Sequence, residues 1–124
     1  AIMAAAPADY KVKNAFSQKV KSDTLTLELV KNPDIAKTLG EKKDERKLVV
    51  FSAETENLIE NAKGKLKKKH ADLVVANDVT VDGAGFDVDT NVATIIDNDG
   101  NEFESGKVSK RELADVILDK VIAL

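Results

Sequence analysis

Residues 47–79 read KLVVFSAETENLIENAKGKLKKKHADLVVANDV, and the reading of this stretch decides the fold. KLVVFSAET is an apolar run of strand length that ends in a polar turn, and ADLVVANDV is a second such run. Between them Leu58 or Ile59, Ala62 and Leu66 fall along one face of a helix, with polar residues on the other. Strand, helix, strand is the repeating unit of an α/β domain.

The same alternation continues outward in both directions. Upstream, residues 2–6 (IMAAA) form a first apolar strand, and residues 23–30 (DTLTLELV) alternate polar and apolar as a half-buried strand does. Residues 32–40 (NPDIAKTLG) predict a short helix with Asn32 as N-cap, Pro33 at the first helical position and Gly40 as the stop. Downstream, residues 80–91 (TVDGAGFDVDTN) read as a Gly- and Asp-rich loop, long enough to serve function as well as connection. VATIID and NEFE flank Asn98-Asp99-Gly100, a hairpin signal. Ser109 and Glu112 then make a capping box ahead of Leu113, Val116, Ile117, Val121 and Leu124, an amphipathic closing helix.

Composition bounds the chemistry. The chain has 124 residues, enough for one modest core, and 19 Lys plus Arg against 22 Asp plus Glu leave a net charge of −3, which points to no nucleic-acid or membrane partner. Cysteine is absent, so disulfides, thiolate nucleophiles and Cys-ligated metals are excluded, in keeping with a reducing cytoplasm. His70 is the single histidine and has no identifiable carboxylate or Ser partner for a triad. The apolar opening is too short to span a bilayer and lacks the basic region of a signal peptide.

The basic run Lys65-Leu66-Lys67-Lys68-Lys69-His70 reads first as a solvated helix end whose cations complement the helix dipole. Lys65 and Lys69 are four apart, however, so their ammonium groups share a face and can clamp a polyphosphate. A nucleic-acid patch would interleave aromatic residues with the lysines, and none are interleaved here. Two tempting patterns fail. GAGFDV has Val88 where a dinucleotide loop needs its third Gly, and DVDTNV has Val92 and Asn98 where a calcium loop needs Gly and a bidentate Glu. Asp9, Glu54, Asn77 and Asp78 each follow an apolar strand, and a crevice at the carboxyl ends of the strands would collect them. From spacing alone, each serves equally well as a turn or cap residue.

Taken in order, MAAAPADY, KVKNAFSQKVK, LTLELVKNPDI, VVFSAETENLIENAKGKLKKKHADLVVANDV and GFDVDTNVATIID resemble the C-terminal half of bacterial phosphopantothenoylcysteine synthetases, the phosphopantothenate–cysteine ligases of coenzyme A biosynthesis. The resemblance implies a Rossmann-like three-layer α/β sandwich, with residues 1–124 as the C-terminal part of a single ligase domain. The domain's N-terminal half, with its Gly- and Ser-rich phosphate loop, lies outside this sequence, so the chain alone is expected to have little or no ligase activity. The resemblance further implies CTP as substrate with Mg²⁺, 4'-phosphopantothenate and cysteine as the other substrates, a homodimer formed partly around residues 19–30, and FMN only where a decarboxylase domain is fused. No nucleic-acid or membrane partner is expected. The rival is a non-catalytic dimerisation or nucleic-acid-binding module built on the lysine run.

Carried over residue by residue, the resemblance assigns nucleotide contacts to Met3, Ala4, Ala5, Asp9, Pro33, Asp34, Ile35, Ala36, Phe51, Lys65 and Lys69. Lys19, on a flap-like segment, becomes both a nucleotide contact and the catalytic candidate. Asn77 is placed near substrate, and no metal ligand is assigned. Pro7 and Val50 depart from the family pattern, where an aliphatic residue and Gly are usual, and are expected to alter the crevice wall.

Overall fold

A computed structural model describes residues 1–78, 80 and 88–124. Its main sheet has the strand order β1-β4-β5-β6-β7, with β1 (Ile2–Met3), β4 (Val49–Glu54) and β5 (Leu73–Asp78) parallel. The antiparallel hairpin of β6 (Thr90–Asp97) and β7 (Glu102–Ser109) completes it. A separate antiparallel ribbon pairs β2 (Tyr10–Val12) with β3 (Leu29–Lys31).

Alternation along the central strands generates three layers. Leu48, Val50, Val74, Ala76 and Ile96 face Ala36 of α1 (Ile35–Glu41) and Ala62 and Leu66 of α2 (Leu58–Lys68). Val49, Leu73, Val75, Ala93 and Ile95 face Leu113 and Ile117 of α3 (Lys110–Ile122) on the other side. A strand covered on both faces has no reason to alternate apolar with polar, which is why LVV occurs at the start of both β4 and β5. Fully burying one such aliphatic side chain contributes about 1.5–3 kcal/mol. The α/β sandwich anticipated from residues 47–79 is therefore present, with the antiparallel hairpin at one edge.

Local chemistry fixes the ends of these elements. Ser109 Oγ accepts from Glu112 N–H at 3.1 Å while the Glu112 carboxylate accepts from Ser109 N–H at 2.9 Å, the reciprocal box that starts α3. In the β6–β7 turn, Asp97 Oδ1 accepts from the N–H groups of Asp99 and Asn101, and Gly100 takes φ +86°, where a side chain would be strained. The Asp72 carboxylate accepts from Leu48 N–H at 2.7 Å and pairs with Lys43 at 2.5 Å, tying the turn before β4 to the start of β5.

Several sequence expectations need correction. Of the apolar run 2–6 only Ile2 and Met3 form a strand, the chain leaving the sheet at Ala4. The N-cap of α1 is Asp34, whose side chain accepts from Lys37 N–H, and Asn32 and Pro33 both lie before the helix, so Pro33 is not its first helical residue. Gly40 does not stop α1 but sits inside it, because a Cβ there would lie 1.8 Å from the Lys69 carbonyl oxygen where α1 crosses the end of α2. Within residues 23–30 only Leu29 and Val30 are in a strand, and residues 23–29 are all exposed, although Glu28 pairs with Lys13 and Leu29 with Val12 across the ribbon. Leu124 falls beyond α3 and is exposed. Of the Gly- and Asp-rich stretch 80–91, residues 81–87 lie outside the described residues, with all of GAGFDV except Val88, and Thr90 and Asn91 already belong to β6 rather than to a loop.

Candidate functional site

A cavity of about 530 Å³ opens beyond the carboxyl end of β1, beside Val50 and Phe51 of β4. Four segments converge on it: the end of β1 with the loop to β2, the turn between β3 and α1, the β4 residues Val50 and Phe51, and the last turn of α2. Parallel strands direct their following loops to one edge of the sheet, so residues distant in sequence meet there. Asn32 fastens two of these segments together, its backbone N–H donating to Asp9 C=O and its side-chain amide to Ala8 C=O, each at 2.8 Å. That role, rather than capping, is what its polar side chain does.

Met3, Ala5, Asp9, Pro33, Asp34, Ile35, Ala36, Phe51, Lys65 and Lys69 all line the cavity, as do Pro7 and Val50. Ala4 and Asn77 are not among its lining residues. Lys19 is exposed within residues 13–28, which connect β2 to β3, and it too is absent from the wall. The crevice proposed for all the strand-end polar residues thus collects Asp9, but not Glu54, Asn77 or Asp78, on its surface.

Sequence reasoning missed Tyr10, Lys31, Lys37 and Lys68, which also line the wall. The signal for Lys31 and Lys37 was their position on either side of the Asn32-Pro33-Asp34 turn, visible only once that turn is known to border a cavity. With them the wall carries Lys31, Lys37, Lys65, Lys68 and Lys69 against Asp9 and Asp34, a cationic surface inside a chain of net negative charge. Such a surface suits a polyanion. The N–H groups of Ile35 and Ala36, at the start of α1, have no intrahelical acceptor and face no competition from the helix itself.

The two lysines that spacing placed on one face have separate counter-ions. Lys69 Nζ lies 3.2 Å from Asp34 Oδ1 and Lys65 Nζ lies 2.7 Å from Glu54 Oε1. The Lys37 backbone N–H holds the Asp34 carboxyl below the usual aspartate range, against the opposing effect of burial, with help from Lys69 and Lys68. Burial pushes the Glu54 carboxyl up, but hydrogen bonds from Lys65, Ser52 and Asn61 and the Lys65 charge together outweigh it and leave it lowered. Both carboxylates therefore stay ionised through neutral pH, and protonation, as pH falls below the ordinary carboxylate range, would loosen both lysines.

Among the described residues no three His, Cys, Asp or Glu side chains are grouped to hold a metal ion. The one buried side-chain polar atom without a hydrogen-bond partner is Asn77 Oδ1, again among the described residues. No helix of the described residues is long and apolar enough to cross a membrane.

Comparison with known proteins places this geometry in context. A family model described as the DNA/pantothenate metabolism flavoprotein C-terminal domain matches residues 1–124. The coenzyme A biosynthesis bifunctional protein CoaBC of Bacillus subtilis (strain 168) is 46% identical over 125 residues, covering 99% of this chain and 31% of the relative. A cysteine/cysteine sulfinic acid decarboxylase from an unknown prokaryotic organism is 39% identical over 127 residues, covering 100% of this chain and 35% of the relative. The solved C-terminal domain of a coenzyme A biosynthesis bifunctional protein CoaBC superposes with a TM-score of 0.73 at 37% identity, covering 94% of this chain and 50% of that one. The chain thus spans about a third of the length of the curated relatives it matches.

Proposed function

The chain belongs to the DNA/pantothenate metabolism flavoprotein C-terminal domain family, and from that premise we propose that it is the nucleotide-holding part of a cytoplasmic phosphopantothenate–cysteine ligase of coenzyme A biosynthesis. In this reading the carboxylate oxygen of 4'-phosphopantothenate attacks the α-phosphorus of CTP, the α–β phosphoanhydride breaks, and pyrophosphate leaves. The amine of cysteine then attacks the acyl carbon of the cytidylate, and CMP departs. Activation is needed because a carboxylate oxygen is a poor leaving group until it is esterified to phosphate.

The observation that carries this reading is the lysine-walled cavity, which gathers Met3, Ala5, Asp9, the residues 33–36 turn, Phe51, Lys65 and Lys69 from four separate segments. Cations there offset the triphosphate charge, and Ala5 and Ala36 are small enough for a nucleotide to approach the backbone. Mg²⁺ would enter with the triphosphate and keep mostly phosphate and water ligands, which fits a wall with isolated carboxylates and, among the described residues, no acidic cluster. Lys19 would reach the nucleotide from the exposed 13–28 segment. The apolar residues of that segment support a dimer, and FMN would belong to a fused decarboxylase domain.

The test uses the intact protein that carries this domain, with CTP, 4'-phosphopantothenate, cysteine and Mg²⁺. Pyrophosphate release that needs CTP and 4'-phosphopantothenate, followed by CMP release that needs cysteine as well, is the expected result. Lys69→Gln should raise the KM for CTP about tenfold or more, the loss of one charged hydrogen bond to phosphate, and Lys65→Gln should lower kcat by about tenfold or more as well. CO₂ release from cysteine without CTP consumption would overturn the reading in favour of a decarboxylase.

A further inference from the structure

Ser52 and Glu54 are two residues apart on β4, so both side chains point to the α2 face of the sheet, just past the last apolar residues. There they meet Asn61 and Lys65, one helical turn apart on α2. Lys65 Nζ donates to Ser52 Oγ at 2.8 Å and to Glu54 Oε1 at 2.7 Å. Ser52 Oγ donates to the same Glu54 oxygen. Asn61 Nδ2 donates to the other, Oε2, at 3.1 Å and to Glu56 C=O at 2.9 Å. The Glu54 side chain is 13% exposed and Ser52 only 2%.

This is more than a surface ion pair. An exposed Lys–Glu contact contributes about 0–1 kcal/mol and fixes little, whereas here both carboxylate oxygens accept hydrogen bonds and the carboxylate cannot rotate without breaking one. A lysine beside a serine can also indicate a nucleophile, but a neutral amine is then required to take the hydroxyl proton. Here Lys65 donates to both Ser52 Oγ and Glu54 Oε1, and the Ser52 hydroxyl donates to Glu54, so the hydroxyl proton is directed at the carboxylate and not at the amine. The cluster therefore holds a cation in place. An ammonium has three N–H groups; two are taken by Ser52 and Glu54, and Lys65 lines the cavity, which leaves one for a ligand there.

We propose that Glu54, braced by Ser52 and Asn61, is a positioning residue that fixes the Lys65 ammonium so that its remaining N–H meets a phosphate oxygen of a nucleoside triphosphate in the cavity. The proposal deepens the ligase reading and rests on its assignment of Lys65 to phosphate. Lys69 is a contrast: its partner Asp34 is 37% exposed and is already committed to capping α1, so nothing comparable orients it.

The experiment is a double-mutant cycle in the intact protein with CTP and Mg²⁺. Glu54→Gln should lower kcat about tenfold or more while the KM for CTP changes less than about threefold, since a misplaced group costs rate when binding survives. In a Lys65→Gln background the same substitution should have no further effect. Asn61→Ala, at an exposed position that will not compromise folding, should act in the same direction more weakly. An equal loss from Glu54→Gln with and without Lys65 would overturn the proposal, as would wild-type kcat in both Glu54→Gln and Asn61→Ala. Lys65→Gln with wild-type kinetics would remove the ligase reading of the site, and the proposal with it. Impaired Lys65→Gln beside normal Glu54→Gln would overturn the proposal alone.

Discussion

The sheet sandwich and the arm formed by residues 10–31 are made of the same apolar residue types and use them in opposite ways. In the sandwich, Val74, Val75 and Ile96 are wholly buried, each strand covered by helices on both faces. In the arm, Phe16 is 59% exposed and Leu25, Leu27 and Leu29 are each about half exposed, on or beside a two-stranded ribbon of three residues per strand. A two-stranded ribbon is marginal in water without a surface to cover it. Periodicity in a sequence says which side chains face together; it does not say whether the same chain supplies what covers them.

The sharpest way to break this contrast is to place a charge in each region. Val74→Asp puts an unpaired carboxylate between α2 and the sheet and should cost more than about 4 kcal/mol, enough to unfold a domain of ordinary stability. Urea denaturation followed by far-UV circular dichroism measures it. A folded Val74→Asp variant with a midpoint near that of the parent would mean that the sandwich is not the source of stability.

The second test lies where the sandwich meets the cavity. Gly→Ala in the interior of a helix is ordinarily stabilising by about 1 kcal/mol, and Gly40, the penultimate residue of α1, would gain at most that from propensity. Here the added methyl would lie 1.8 Å from the Lys69 carbonyl oxygen, backbone that cannot swing aside, so the expected sign is reversed, with a loss of about 1–3 kcal/mol. Thermal unfolding decides it, and a raised Tm would show that α1 is not pressed against the end of α2. The position matters for function because the same contact sets the distance between Asp34 at one end of α1 and Lys69 on α2.

These two sites also mark how far the sequence could be read. The apolar runs of β4 and β5, the Ala62 and Leu66 face, the Asn98-Asp99-Gly100 turn and the Ser109–Glu112 box were legible because each is decided by neighbours within a few residues. Gly40 was misread as a stop signal because its reason is a carbonyl 29 positions away in sequence. Asn32 was misread as a cap because a polar residue before Pro can serve equally well by bonding to a distant loop. Within the site, the spacing of Lys65 and Lys69 gave a shared face, and family resemblance gave the nucleotide, but the separate carboxylate partners, Glu54 and Asp34, are tertiary facts. The arm was read as half-buried for the same reason that it was legible at all: alternation carries no information about a missing cover.

The arm provides the smallest thermal effect and the finest discrimination. Leu27→Asp removes an apolar side chain that is 46% exposed and touches no part of the sandwich core, so the intrinsic stability of the sandwich should change by less than about 0.5 kcal/mol. The proposed dimer adds a second expectation, because a partner that binds only the folded chain raises apparent stability with protein concentration. The urea midpoint of the parent should therefore rise with concentration while that of Leu27→Asp stays flat, the two converging at the dilute end, and sedimentation should show the variant as a monomer. A dilute midpoint lowered as far as that of Val74→Asp would mean that the arm is part of the sandwich's own fold, and the contrast between the two regions would fail. Coinciding concentration dependence with an unchanged dimer would leave the contrast standing but move the contact away from Leu27, toward Phe16 or Leu25, which the same measurement on those positions would locate.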